Sequence, residues 1–257
     1  MDTSHEHPQR RQERSRVALV TGGARRVGRA VAEALHAAGF AVAIHYRSAG
    51  DEARELAAAL NRARPRSAVA LKADLLLAGQ LQRLAQQVLR RWGRLDLLVN
   101  NASTFYETPL GRITEAAFED LVGTNLKAPL FLTQACAGAL RKSRGAVVNI
   151  SDIYAQRPLR RRAPYCAAKA GLEAVTRVLA LELAPEVRVN AVAPSAVLWP
   201  IDDSGDEAAH RAMLARVPAG RLGGAESVAG AVLYLASEAA AFVTGTVLTV
   251  DGGEALV

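Results

Sequence analysis

The chain has 257 residues, half of them hydrophobic but only 5% aromatic, and its 32 Lys and Arg against 25 Asp and Glu leave a net charge of +7. That length fits one α/β sheet with helices on both faces, and a core of Val, Leu, Ile and Ala suits buried parallel strands. Two cysteines, Cys136 and Cys166, with no partners at metal-ligand spacing, argue against a disulfide framework and a zinc site, so no metal is expected.

The first residues, MDTSHEHPQRRQERSR, lack the apolar segment of a secretory signal, and no apolar run approaches a membrane span. A cytoplasmic protein with no membrane partner is expected, with a flexible polar tail over 1–15 ahead of a single domain over 16–257. His5 and His7 read as part of that tail. Of the 32 basic residues 28 are Arg, scattered over nearly every predicted helix without a nucleic-acid-binding motif, so no nucleic acid is expected. Arg157, Arg160, Arg161 and Arg162 cluster just ahead of Tyr165, which favours a small anionic ligand over a polynucleotide.

From Arg16 onward short apolar runs alternate with amphipathic stretches, the pattern of strand and helix units in a parallel sheet. Strands are predicted at Val17–Thr21, Ala41–Tyr46, Ala68–Lys72, Leu95–Asn100, Ala146–Ser151, Val187–Ala191 and Val247–Val250. Helices are predicted at Arg26–Ala38, closed by Gly39 as a left-handed cap, and at Glu52–Arg62, Gln80–Arg91, Thr124–Leu140 and Pro164–Leu183. The stretch Pro194–Gly205 has no period and reads as a functional loop.

The segment Thr21-Gly22-Gly23-Ala24-Arg25-Arg26-Val27-Gly28 follows the first strand and opens the first helix. Glycines there let the backbone approach a pyrophosphate, whose charge a helix N-terminus favours, although a tight packing turn uses the same glycines. The second strand ends in His45-Tyr46-Arg47-Ser48, where a site for NAD carries Asp or Glu against the ribose hydroxyls. Arg47 and Ser48 can instead hold a 2′-phosphate, with Arg26 as a second guanidinium, so NADPH is the expected cofactor. Asp74-Leu75 and Asn100-Asn101-Ala102-Ser103 lie at further strand C-terminal ends, where open α/β sheets put their ligands.

Asp152 precedes Tyr165 by thirteen positions, and Lys169 follows four further on, within one helical face of the tyrosine. Together with Asn125 in Thr124-Asn125-Leu126, Tyr165-Cys166-Ala167-Ala168-Lys169 and Arg188-Val189-Asn190-Ala191-Val192-Ala193-Pro194, these residues resemble the short-chain dehydrogenase/reductase family along nearly the whole chain. The resemblance implies a single-domain Rossmann-type fold, a doubly wound parallel sheet of about seven strands that binds NADP and carries catalysis. It implies Tyr165 as proton donor, Lys169 bound to the nicotinamide ribose and lowering the tyrosine pKa, and Asn125 holding a helix bend and a relay water. It extends the cofactor contacts to Gly22, Arg25, Val27, Gly28, Asn101, Ala102, Ser151, Pro194 and Ser195.

Three departures from the general family pattern, Arg26 for a glycine, Asp152 for a serine, and the run from Asn101 to Leu110, look like the pteridine reductase branch. That likeness implies an NADPH-dependent reduction of dihydropterins and folates, with Arg26, Ser103, Phe105, Asp152 and Tyr165 at the substrate. Phe105 offers a flat face for a planar ring, and Trp199 either lines the pocket or packs. Asp152 reads either as a turn cap or as a carboxylate that raises the tyrosine pKa against Lys169 and keeps the proton available. Cys166, about 100° round the helix from Tyr165, reads as buried. The helices at Thr124–Leu140 and Pro164–Leu183 match those through which the family assembles, so a homotetramer is implied. Alternatives are a carbonyl reductase of the same family, acting on a 3-oxoacyl thioester or other ketone, and a non-catalytic NADP(H)-sensing regulator.

Overall fold

The computed structural model describes residues 15–195, 197 and 206–257. Trp199 and all but the last residue of the expected tail lie outside the described residues. Seven aliphatic runs form a fully parallel sheet: β1 (Val17–Val20), β2 (Ala41–Tyr46), β3 (Ala68–Lys72), β4 (Leu97–Asn100), β5 (Ala146–Ile150), β6 (Arg188–Pro194) and β7 (Val247–Val250). Their order is β3-β2-β1-β4-β5-β6-β7. The chain winds outward from β1 to β3, then restarts beside β1 and winds the other way, so β1 and β4 meet at a topological switch point.

Alternation along each strand makes two apolar layers. Ala18 and Val20 face a layer with α1 (Arg26–Ala37), α2 (Gly50–Ala63) and α8 (Gly224–Leu235). Val17 and Leu19 face the other, with α3 (Ala78–Trp92), α5 (Ala128–Ser143) and α6 (Ala163–Leu183). This is the doubly wound single-domain fold expected from the sequence.

A buried polar ladder crosses the second layer. Asn100 Nδ2 donates to Asn149 Oδ1 at 2.8 Å, and Asn149 Nδ2 donates to Thr176 Oγ1 at 2.9 Å. It ties β4 to β5 and α6, the elements that carry the candidate site, and leaves neither carboxamide unsatisfied in the core.

The helix expected at Thr124–Leu140 is instead a π-helical turn at Gly123–Lys127 followed by α5, and α4 (Glu115–Val122) leads directly into that turn. The Asn125 side chain takes the Leu121 carbonyl at 2.9 Å, which its own backbone N–H would use in an α-helix, and the Ala128 N–H bonds to Gly123 O five residues back. Neither α4, α7 (Glu207–Leu214) nor α8 was expected from periodicity. Pro194, expected to open the loop, ends β6 opposite Val250, at a strand terminus where the missing N–H is tolerated.

Candidate active site

At the switch point the glycine turn is built from behind. Thr21 Oγ1 accepts the backbone N–H groups of Asn101 and Ala102 at 2.9 and 3.0 Å, and Asn101 Nδ2 donates to Thr21 O at 2.8 Å. A Cβ at Gly28 would overlap Gly22 O and Asn101 Nδ2, so that helix position admits only glycine. Arg26 has φ +51°, the left-handed region where glycine is at ease and other L residues are strained. The first turn of α1 holds no acidic residue, and no side chain caps it.

Of the residues predicted to meet a cofactor, His45 sits behind the turn rather than on its open side. Gly22 N–H donates to Nδ1 at 3.1 Å, so Nε2 carries the proton and donates to Ala73 O at 3.1 Å. Both ring nitrogens are thus used within the protein. Arg25 is exposed and paired with Glu52, and exposed Arg47 lies 3.8 Å from Asp120 on α4. Ser48 is exposed beyond the end of β2, and Tyr46 is half-buried. Asp74 caps its own turn by accepting Leu76 N–H at 3.0 Å, and Leu75 is buried.

At the C-terminal end of β5 the two oxygens of Asp152 divide their work. Oδ1 accepts Tyr154 N–H at 2.9 Å and caps a short 3₁₀ turn, Ile153–Ala155, while Oδ2 accepts the Tyr165 hydroxyl at 2.7 Å. The cap and the tyrosine contact, alternatives on sequence grounds, are both present. Lys169, one helical turn after Tyr165 on α6, is buried, donates to Ile150 O at 2.7 Å and lies 5.7 Å from the Tyr165 ring centre.

Burial raises the Asp152 pKa above the usual carboxylate range, with Glu254 adding to it, against hydrogen bonds from Tyr154 and Tyr165 and the charge of Lys169. Burial first and Asp152 second push Tyr165 well above its ordinary value, while burial pulls Lys169 down to about 8. The Tyr165 pKa is thus raised rather than lowered as expected from Lys169, with only a hydrogen bond with Ser103 acting the other way, and the phenol keeps its proton.

Ser103 Oγ donates to Asn125 Oδ1 at 2.6 Å, and Asn125 Nδ2 also donates to Thr104 O at 2.9 Å. The π-turn therefore anchors residues 101–114, a segment without helix or strand that the sequence did not single out as a loop. From it Phe105, 48% exposed, meets Tyr165 edge to face with ring centres 4.7 Å apart. Ser151 Oγ turns away to the buried Glu173 at 3.2 Å, and Ser195 Oγ donates to Asp251 O at 3.1 Å. Cys166 is buried, as expected.

The arginine cluster is mostly engaged. Arg157 donates to the Glu254 carbonyl, Arg161 pairs with Glu107 at 2.6 Å, and Arg162 lies 3.8 Å from Glu107. The Arg162 guanidinium also covers the Phe105 ring at 4.5 Å. That contact, and the buried Glu254 carboxylate 3.5 Å from Arg216, went unnoticed in the sequence. Among the described residues no His, Cys, Asp and Glu side chains group as a metal site.

A glycine turn at the switch point of a seven-stranded parallel sheet, facing a buried Asp-Tyr-Lys set, defines a dinucleotide-dependent oxidoreductase. The family model described as Enoyl-(Acyl carrier protein) reductase matches residues 22–254, and the chain belongs to the short-chain dehydrogenase/reductase family, whose reductases use NAD(P)H. It is 38% identical to pteridine reductase 1 of Leishmania tarentolae, over 93% of this chain and 96% of that protein. It is 35% identical to L-xylulose reductase of Bos taurus, over 93% and 96%. A 3-oxoacyl-(acyl-carrier-protein) reductase of Escherichia coli is 34% identical, again over 93% and 96%. No helix among the described residues is long and apolar enough to cross a membrane.

Burial lowers the His45 pKa from 6.5 to about 4. Between those values the unfolded chain takes up a proton that the native state refuses, so the His45 contribution is complete above the unfolded pKa and is lost as the pH falls toward 4. The loss amounts to about 3 kcal/mol at most. Urea denaturation at about pH 7 and about pH 4.5 should show a smaller drop in stability for His45→Gln than for the parent protein; parallel drops would rule out His45 as the titrating brace.

Proposed function

We propose that the protein is an NADPH-dependent pteridine reductase that adds hydride to a ring carbon of a dihydropterin or dihydrofolate and a proton to the adjacent nitrogen. The observation that carries this reading is the Asp152 carboxylate on the Tyr165 hydroxyl, with Phe105 beside the same ring. The likeness to pteridine reductase 1 supports it.

The uncapped start of α1, and the tight turn that Gly28 permits by packing against Gly22 O and Asn101 Nδ2, suit a pyrophosphate, which fits a dinucleotide against Gly22, Arg26, Val27 and Gly28. Arg47 and Ser48 would take the 2′-phosphate. Asp74, Leu75, Asn101, Ala102, Ser103, Ser151, Tyr165, Lys169, Pro194 and Ser195 would border the rest. NADPH bound there supplies the hydride.

The chain's own side chains handle the proton. Tyr165 stays neutral because burial and Asp152 both oppose its ionisation, and it shares its proton with Asp152 Oδ2. The pair thus offers one movable proton beside Phe105. Lys169, held on Ile150 O and 5.7 Å from the centre of the Tyr165 ring, balances the carboxylate. Asn125 anchors the segment of Ser103 and Phe105, so the stacking face and the proton donor keep one geometry.

One observation favours a second reading. Burial raises the Asp152 pKa, and a protonated carboxyl would donate to a ketone as a serine does. A carbonyl reductase acting on a 3-oxoacyl thioester is the alternative that this supports. The exposed Phe131 on α5, with Val178 and Leu181 on α6, suits contact with further copies of the chain, and we propose a homotetramer.

In Asp152→Ser, kcat/KM for dihydrobiopterin should fall by roughly a hundredfold or more while NADPH binding persists. Unchanged turnover would refute the assignment, and equal turnover of the parent protein with NADH would refute the role of Arg47 and Ser48. Light scattering should give four chain masses; a monomer would refute the tetramer.

A further inference from the structure

At the N-terminal ends of β2 and β3, the end of the sheet opposite Asp152 and Tyr165, lies a cavity of about 590 Å³. Arg64, Arg66, Arg90, Arg91 and Arg94 line it, together with Trp92. They gather there because α2 and α3 both end at this side of the sheet and both end in arginines.

The bland account of such residues is that they balance the negative ends of helix dipoles, and the charges can be compared. Each helix C-terminus carries roughly half a negative charge, so the ends of α1, α2 and α3 offset about one and a half positive charges. Arg94 is neutralised separately by Asp96, with contacts of 2.9 and 2.5 Å. Arg64, Arg66, Arg90 and Arg91 pair with no acidic side chain among the described residues. About two or more positive charges therefore remain uncompensated around one cavity.

Two further observations point to a ligand. Arg64 donates through Nη2 to His36 O and Phe40 O, yet its Nε is buried with no hydrogen-bond partner among the described residues. Arg66 has φ +61°, the left-handed conformation that a non-glycine residue resists, and its carbonyl accepts Trp92 Nε1 at 3.4 Å. Strain of this kind collects where backbone is held for binding.

We propose that this cavity is a second anion site, which binds a small molecule carrying a chain of phosphates through Arg66, Arg90 and Arg91, with Arg64 on its wall. A single phosphate would leave most of the volume empty, whereas a cavity of this size matches a nucleotide or a short phosphate chain. Guanidinium forks suit adjacent phosphate oxygens, and the Arg91 guanidinium lies over the Trp92 ring, 5.9 Å from its centre.

The test is calorimetric titration of the full chain with inorganic triphosphate and, separately, with ATP at physiological salt. The parent protein should bind one triphosphate per chain, and Arg66→Ser/Arg90→Ser/Arg91→Ser should bind it at least about tenfold more weakly. Reductase turnover and NADPH binding should be unchanged in that variant, since the glycine turn lies at the other end of the sheet. Should the triple variant fail to fold, Arg90→Gln at an exposed position must still weaken binding measurably. Tighter binding of ATP assigns a nucleotide, and equal binding assigns the phosphate chain alone. Absence of saturable binding, equal affinity in the variants, or several weak ligands per chain that salt removes would overturn the proposal.

Discussion

The carboxylate of Asp152 joins two elements that covalent geometry leaves independent. One oxygen holds the turn that leaves β5, and the other holds the tyrosine near the start of α6. A serine could not do both with equal strength, since its single hydroxyl oxygen would have to serve the backbone and the phenol together. Burial pushes the pKa values of Asp152 and Tyr165 up and pulls that of Lys169 down, while the carboxylate adds to the rise at Tyr165 and opposes the fall at Lys169. A buried acid, a phenol and an amine with opposed shifts form the kind of set that moves a proton near neutral pH.

The opposite half of the cleft is held by groups that never face it. His45 and Thr21 use their polar atoms to fix the glycine turn from inside, which leaves the outer backbone open. Arg26, exposed on that turn, has a left-handed conformation natural to glycine. Native packing around the turn sustains it.

Much of the architecture was legible because buried parallel strands read as short Val, Leu, Ile and Ala runs, and all seven lie within a few residues of the predicted spans. Helix ends were harder. The eight residues of α4 and of α7 span little more than two turns, and α8 is so rich in Ala, Gly and Val that its apolar face does not stand out. The π-turn at Asn125 could not be seen, since a side-chain bond to Leu121 O is a local competition that periodicity does not record. At the site, Asp152, Tyr165 and Lys169 were singled out by the family resemblance together with their spacing, and the fold brings them together. His45 was expected at the cofactor, and strand alternation does not reveal that both of its ring nitrogens are bonded within the protein. The engagement of the arginine cluster depends on Glu107 and Glu254, about fifty and a hundred residues away in sequence, and only the fold brings them together.

The central claim is that this site is shaped for a pterin rather than for an open-chain ketone. The most direct measurement is NADPH oxidation by the purified protein with dihydrobiopterin, dihydrofolate and an acetoacetyl thioester in parallel, compared as kcat/KM. The account requires the pterins to lead by about tenfold or more, roughly 1.4 kcal/mol of transition-state preference; a lead for the thioester would contradict it.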